Sequence, residues 1–379
     1  MKKTLIALAV LGSAAGHASA QSNVTLYGVF DTAFRNSTNV NANGDSQLQL
    51  NAGLIQGSRW GVRGTEDLGG GMKAIFDLQS GFNPTTGTSG QQGQLFGRQA
   101  WVGLDAGFGK LTFGRQFGVA FDAFGAFDPY GIGNASAISA PQLDVVGARF
   151  NNTAKYQKKF GAVALNLAYS LGETVGNTST GSTAGVGVDF APGSFTLNSA
   201  YQQSTDVNSR KSAVYVFGGT YPIGSVKLYA GYTHNTRDQG FATCAGNNAT
   251  SLGATVPAAC VSGSNPNGIN GALSNTNLAP GSTIGNGKTD LYLLGAMVDV
   301  TSQFQLVAAY MQNNTRINGA PDARHRTAYA VADYYFTKRT DVYFSVDHTS
   351  ASNFTGGYDS FANGNRPTTG IMLGVRHRF

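Results

Sequence analysis

The chain has 379 residues and a formal charge of +6, with only 12% charged residues set against 52 glycines, 16 tyrosines and 23 phenylalanines. Tyrosine and phenylalanine favour strands, and glycine fits turns and small inward positions, so the composition points to β-structure. Beyond the N-terminal segment, glycine, asparagine, serine or a charge interrupts every apolar run before the roughly 18 residues a transmembrane helix needs, which excludes a helical membrane protein.

At the N-terminus Lys2 and Lys3 precede an apolar run from Leu5 to Leu11, then small residues ending Ala18-Ser19-Ala20. That order is a secretory signal, too short to span a bilayer, so residues 1–20 are expected to be removed and residues 21–379 to form one exported domain. Without Lys2 and Lys3 the charge falls to +4. The remaining cations are scattered singly, Arg324-His325-Arg326 being the one dense group, so no basic stripe marks a nucleic-acid partner.

Period-two alternation then runs from end to end. It is clearest where Val163, Leu165, Leu167, Tyr169 and Leu171 alternate with Ala164, Asn166, Ala168 and Ser170. It recurs with Phe195, Leu197 and Tyr201, with Val226, Leu228 and Tyr232, with Phe304, Leu306 and Tyr310, and with Val342, Phe344 and Val346. Such strands show lipid on one face and water on the other; a helix would group its apolar residues every three or four positions. In chain order the pattern predicts strands at 23–35, 47–64, 71–82, 94–106, 110–116, 149–158, 161–171, 185–190, 195–203, 211–221, 225–235, 288–300, 303–312, 326–336, 341–349 and 369–379. Sixteen is an even count, as a single-chain bacterial barrel requires.

The connections alternate between short and long. Gly64 to Gly70, Ala106 to Gly109, Ala191 to Ser194, Pro222-Ile223-Gly224 and Thr337 to Thr340 are short turns suited to the periplasmic side. Longer polar loops at 36–46, 83–93, 117–148, 172–184, 204–210, 236–287, 313–325 and 350–368 would face outward. The fold expected is all-β: a 16-stranded antiparallel transmembrane β-barrel with short periplasmic turns and long extracellular loops. Cys244 and Cys260, the only cysteines, both fall in the loop at 236–287. An even pair in an exported chain suits a disulfide staple inside that loop; metal or thiol chemistry is the alternative, but no histidine or acidic cluster accompanies the pair.

Several motifs resemble the general porins of β-proteobacteria, the group of the neisserial and comamonad porins. They are Val24-Thr25-Leu26-Tyr27-Gly28, the run from Ser58 to Gly71, the segment Gly107 to Gln116, and the closing Gly374-Val375-Arg376-His377-Arg378-Phe379, in the family's own order. The resemblance covers the mature chain. It implies a sixteen-stranded barrel in the outer membrane, a homotrimer, and passive diffusion of small ions and solutes. It also implies membrane lipid and lipopolysaccharide as surroundings, and a terminal Phe379 that serves as a signal to the outer-membrane assembly machinery. The family's third outer loop folds inward, which corresponds here to 117–148.

That loop carries Asp122, Asp128 and Asp144. Arg59 and Arg63 lie four apart and share one strand face, with Trp60 and Val62 turned away, and Arg98 and Arg149 fall where the family places inward arginines. Each could instead be a structural ion pair or a rim residue. Together, arginines on one wall facing loop carboxylates would make a transverse field that sorts solutes by charge, with a modest anion preference that fades as salt screens it.

No cofactor and no catalysis are expected. Glu66-Asp67 reads as a turn cap, and Gly69-Gly70-Gly71 lacks the lysine-serine/threonine pair of a phosphate loop. A hydrolase would need a histidine and a serine on neighbouring strands with an orienting third group. An adhesin acting through the loops at 236–287 and 350–368 is the remaining rival, separated from a pore by whether the barrel conducts.

Overall fold

The computed structural model describes residues 23–131, 148–173, 175–206, 209–239, 241–242, 283–284, 287–317, 321–353 and 366–379. The expected signal at 1–20, together with Asp144, Cys244 and Cys260, lies outside the described residues. The wall begins with β1 (Asn23–Ser37), β2 (Gln47–Ala52), β3 (Arg59–Gly69), β4 (Met72–Gly81), β5 (Gln99–Ala106) and β6 (Gly109–Phe117). A helix, α1 (Val119–Phe127), follows, and the wall resumes with β7 (Arg149–Phe160), β8 (Val163–Ser170), β9 (Thr183–Phe190), β10 (Thr196–Thr205), β11 (Lys211–Ile223) and β12 (Val226–Arg237). A small separate hairpin, β13 (Phe241–Ala242) and β14 (Thr283–Ile284), precedes β15 (Gly287–Asp299), β16 (Phe304–Ile317), β17 (Ala323–Tyr335), β18 (Thr340–Ser352) and β19 (Thr368–Arg378).

Apart from β2 and β3, which both pair with β1, consecutive wall strands pair antiparallel, and β1 pairs with β19 to close the sheet. The seventeen wall segments make sixteen staves, because β2 and β3 lie end to end against β1. Closure pairs the staves around the ring, which is the condition for a sheet to sit in hydrocarbon; among the described pairings only β2, beyond the end of β3, has a partner on one side alone. No described helix is long and apolar enough to cross a membrane.

The alternation seen in the sequence becomes two faces. Leu26, Phe34, Phe217, Leu228, Leu294, Phe344 and Leu373 point outward and are exposed, while Asp31, Asn198, Thr233, Asn313, Asp333 and Asp347 point inward and are buried. Near the long-loop end the outer face carries a row of tyrosines. Tyr201 packs on Tyr215 with ring centroids 4.8 Å apart, and Tyr232 on Tyr292 at 5.1 Å. At the short-turn end Phe108, Phe160, Phe190, Phe336 and Phe379 are exposed. Two aromatic girdles bounding an apolar band mark the two membrane interfaces.

At the closing seam Gly28 donates its N–H to the Phe379 carbonyl at 3.0 Å, and Phe379 donates back to Gly28 at 3.1 Å. On the inner face of β19, glycines make room for side chains from both neighbours. Arg35 on β1 reaches over Gly370 to Asp347 on β18 in a bidentate pair of 2.6 and 2.8 Å. Tyr343 lies across Gly374 in the same way. Arg376, the next inward position, binds Asp341 and Asp333.

Several expectations need correction. The stave at 47–64 is interrupted at residues 53–58, and the turn placed at Gly64 to Gly70 is only Gly70-Gly71, since β3 runs on to Gly69. Gly69, Gly70 and Gly71 all have positive φ, so this tight turn needs its glycines. Glu66 and Asp67 therefore stand on a strand end, where Asp67 accepts the Gly69 N–H at 2.8 Å. His325, the last residue of the loop expected at 313–325, lies on β17 and is buried.

A valine at position 370 would place its Cβ 2.1 Å from the Arg35 guanidinium and 2.6 Å from Asp347. We expect Gly370→Val to cost about 1–3 kcal/mol through overpacking, read as a lower temperature for loss of the compact folded band in gel heat-modifiability. Gly107→Ala, with nothing within 4 Å, should behave as the parent chain.

Candidate functional site within the barrel lumen

Two segments fold into the lumen. The first follows β6, where α1 lies along the inner faces of β9 to β12. Its Val119, Ala120, Ala123, Phe124 and Phe127 are buried. Phe127 is seated over Gly218 and Gly231, whose missing side chains form its slot, and Phe124 packs on it with centroids 5.0 Å apart. Beyond the helix, Pro129 lies over Gly295 and Tyr130 stacks on Tyr329 at 6.3 Å. The second segment is the interruption at residues 53–58. Gly53 donates to the Asp31 carbonyl at 2.9 Å, Ile55 and Gln56 donate to the Asp31 carboxylate at 3.1 and 2.8 Å, and Leu54 donates to the Tyr343 hydroxyl at 2.8 Å.

These insertions explain an inner face that is less polar than alternation suggests. Leu54, Ile55, Phe124, Phe127, Leu291, Leu293, Met311, Tyr329, Val331, Tyr343 and Met372 belong to one buried apolar cluster inside the barrel. The apolar wall of β11 to β17 is the seat for the inserted segments, and burying it makes their position definite.

The arginines occupy the opposite arc. Arg59 and Arg63 share the inner face of β3, with Trp60 and Val62 on the other, as their registers to β1 require. Arg59 donates to the Gly57 carbonyl at 3.0 Å. Arg98, one residue before β5, donates to Gln79 at 2.7 Å, and burial and the charge of Arg59 lower its pKa from the ordinary arginine value. Arg149, which opens β7, sits with its guanidinium 4.5 Å from the centre of the Phe117 ring. The charges of Arg98, Arg115 and Arg59 are all felt at Arg149, so these groups form one neighbourhood. Arg115 itself is held by the Gly97 carbonyl at 2.7 Å and Asn151 at 2.6 Å.

None of Arg59, Arg98, Arg115 and Arg149 has a carboxylate within 4.0 Å among the described residues. Neutral acceptors or a ring hold them instead, so among the described residues no ion pair cancels their charge, although Asp31 and Asp77 act on Arg59 from further off. Arg63 differs: it stacks 5.0 Å over the Tyr27 ring and is the direct cross-strand partner of Asp77 on β4. Its field is compensated in part.

The carboxylates do not all face the arginines. Asp122, in the first turn of α1, forms a salt bridge with Lys155 on β7, which is the arginine side of the lumen. Lys155 is nearly enclosed at 6% side-chain exposure, while Asp122 keeps 37% open to the lumen. Burial raises the Asp122 carboxyl above the ordinary carboxylate range, opposed by Lys155. Asp128, just past the helix, accepts the Tyr130 N–H at 3.2 Å, and its charge is felt by Tyr229 and Tyr329 on the wall against which this segment packs. Lys155 was not among the sequence candidates. Its signal is parity, since it shares the inward face of β7 with Thr153 and Gln157.

A model of the Gram-negative porin family matches residues 7–353. An outer membrane porin of Bordetella pertussis is 30% identical over the full length of both chains. The chain belongs to the Gram-negative porin family. Outer membrane porin protein 32 of Delftia acidovorans is 37% identical to this porin over 60% of the chain and 68% of its own length. Among solved structures, an anion-selective porin from Comamonas acidovorans superposes with a TM-score of 0.71 at 22% identity, covering 94% of this chain and all of the other. An OmpF from Salmonella typhi gives 0.61 at 15% identity. At those identities the structures establish the barrel fold; membership and outer-membrane placement rest on the family model and the sequence relatives.

Two outcomes test how the porin's inner loop is held and charged. Phe127→Ala removes a fully buried ring, so the local docking of α1 should weaken by about 3–5 kcal/mol, seen as noisier and larger single-channel steps. Falling pH should protonate Asp122 ahead of ordinary carboxylates and leave Lys155 unneutralised. Ion selectivity should therefore shift toward anions on acidification, and Asp122→Asn should show that shift already at neutral pH, in bilayer reversal potentials.

Proposed function

We propose that this porin is a water-filled channel for passive diffusion of small ions and hydrophilic solutes, with a modest preference for anions set at a constriction. Arg59, Arg98 and Arg149 form the positive arc of that constriction, Arg63 contributes less because of Asp77, and the loop bearing Asp122 and Asp128 narrows the other side. Asp144 belongs to the same loop and is proposed with it on position alone. The observation that carries the proposal is the set of guanidiniums held by neutral acceptors: they position a charge without cancelling it. Fixed positive groups in a narrow lumen favour anions, and arginine keeps its charge at any relevant pH. The chain then acts as a conduit rather than an enzyme.

The further associations follow from family membership and stand as proposals: a homotrimer, contacts with membrane lipid and lipopolysaccharide, and recognition of Phe379 by the assembly machinery. A disulfide between Cys244 and Cys260 within the long outer loop is proposed because they are an even pair in an exported chain. The Comamonas relative's description as anion-selective agrees in sign with the arginine arc.

Purified protein in a planar bilayer under a dilute KCl gradient should give discrete conductance steps and a zero-current potential of anion sign. Arg59→Gln and Arg149→Gln should each reduce that potential, and the effect should fade at molar salt because the Debye length falls to about 3 Å. An unchanged potential in both variants would remove the arginines from the selectivity site. A folded barrel that never conducts would overturn the channel itself.

A further inference from the structure

The outer wall of β15, β16 and β17 carries a group of cations that the pore does not use. Lys288 and Arg316 are direct cross-strand partners on the same outward face. Arg324 and Arg326 project from the same side of the next strand, opposite Asn314 and Gln312. All four are exposed. Like charges directly opposite each other across a sheet are unfavourable unless something of the other sign shares the site.

The carboxylates at hand are few. Asp290 is engaged by Arg316, by Tyr232 at 2.6 Å and by His234 at 2.7 Å. Asp322 lies exposed at the rim above. Lys288, Arg324 and Arg326 have no carboxylate within 4.0 Å among the described residues. Arg324 and Arg326 each give their Nε to a side-chain amide, Asn314 at 3.2 Å and Gln312 at 3.3 Å. Those amides are linked to each other at 3.0 Å, and Tyr310 donates to Gln312 at 3.0 Å. These bonds hold each guanidinium through its Nε, and both residues remain exposed. With strands about 4.8 Å apart and positions two residues apart about 6.8 Å along a strand, the four cations fit within the footprint of one headgroup.

Directly below on the membrane side, the outward positions of β17 are Ala328, Ala330 and Ala332. Their cross-strand partners are Tyr310, Ala308 and Leu306 on β16, and His348, Val346 and Phe344 on β18. With Ala308, the small residues make a trough about 14 Å long between the larger Tyr310 and Leu306 on one side and His348, Val346 and Phe344 on the other. It lies below the cations and level with the apolar band, on the side of the membrane from which the long loops emerge.

We propose that this surface seats one phosphorylated glycolipid of the outer leaflet. Lys288, Arg316, Arg324 and Arg326 bind its phosphates, and the alanine trough on β17 receives an acyl chain. The order of features along the strand matches the order of groups in such a lipid: anionic headgroup, interfacial aromatics, hydrocarbon. Guanidinium suits the phosphates because its planar donors can bind two oxygens at once. This deepens the lipid contacts proposed above and is independent of the arginines in the lumen.

The test is native mass spectrometry of the intact folded protein in detergent, titrated with bisphosphorylated lipid A, with the same lipid stripped of phosphate, and with inorganic phosphate. A specific site predicts one lipid A bound per chain, at least tenfold weaker binding of the dephosphorylated lipid, and no displacement by millimolar inorganic phosphate. Arg324→Gln with Arg326→Gln, and separately Ala330→Trp, should each weaken lipid A binding at least tenfold. Lys338→Gln at the opposite rim should not. Equal binding of both lipids to the unmodified protein, or displacement by free phosphate, would overturn the proposal without needing any variant to fold. Conductance and ion preference should be the same in all these variants, so a failure here is distinguishable from a failure of the channel reading.

Discussion

A backbone N–H or C=O left unpaired in hydrocarbon costs several kcal/mol, and that constraint governs this fold. The sheet must close, and it closes where Gly28 and Phe379 exchange two backbone hydrogen bonds and β1 takes β19 as its partner. Closure brings together side chains that are more than three hundred residues apart. The glycines of β19 let Arg35 meet Asp347 and let Tyr343 reach Asp31. The seam is thus held by the ladder and by buried side-chain pairs lying over it. At the break between β2 and β3, where the ladder is locally absent, Asp31 takes over as acceptor for the inserted backbone, and Ser58 bonds to the Asp31 N–H at 2.9 Å and to its carbonyl at 3.1 Å.

Inside the wall a second requirement applies. A loop that must stay in a water-filled space needs an apolar anchor, and this barrel supplies one by making part of its inner face apolar. Phe127 over Gly218 and Gly231, and Pro129 over Gly295, are contacts between ring and bare backbone that fix α1 by shape. The lumen therefore has two unlike halves: an apolar half that holds inserted chain, and a half lined with arginine, lysine and amide groups.

The staves were legible because hydrocarbon imposes a strict rule on alternate residues. All sixteen were visible, most ends agreeing with the structure to within a few residues. What was not legible is where the rule is relaxed. The interruption at 53–58 reads as more of the same strand unless one weighs Leu54 and Ile55, adjacent apolar residues that break the alternation between Gly53 and Gly57. In the lumen, parity placed Arg59 and Arg63 on one face but not their partners. That Asp77 stands opposite Arg63, and that Lys155 captures Asp122, depends on register and on the path of α1, which period two does not carry. The resemblance supplied the inward loop; the residues alone did not.

The arginines of this barrel fall into two kinds, and the distinction bears on how such a channel can change over generations. Arg35 and Arg376 are buried against carboxylates, so losing either would strand a charge in the wall, a change of the kind that costs about 3–5 kcal/mol. Arg59, Arg98 and Arg149 lean on a carbonyl, an amide and a ring, and among the described residues their loss would break no salt bridge. The charge of the passage can therefore drift, one substitution at a time, while the barrel that carries it stays under strong constraint. Under the proposed assignment, selectivity and stability rest on different residues, and a lineage could retune the first without renegotiating the second.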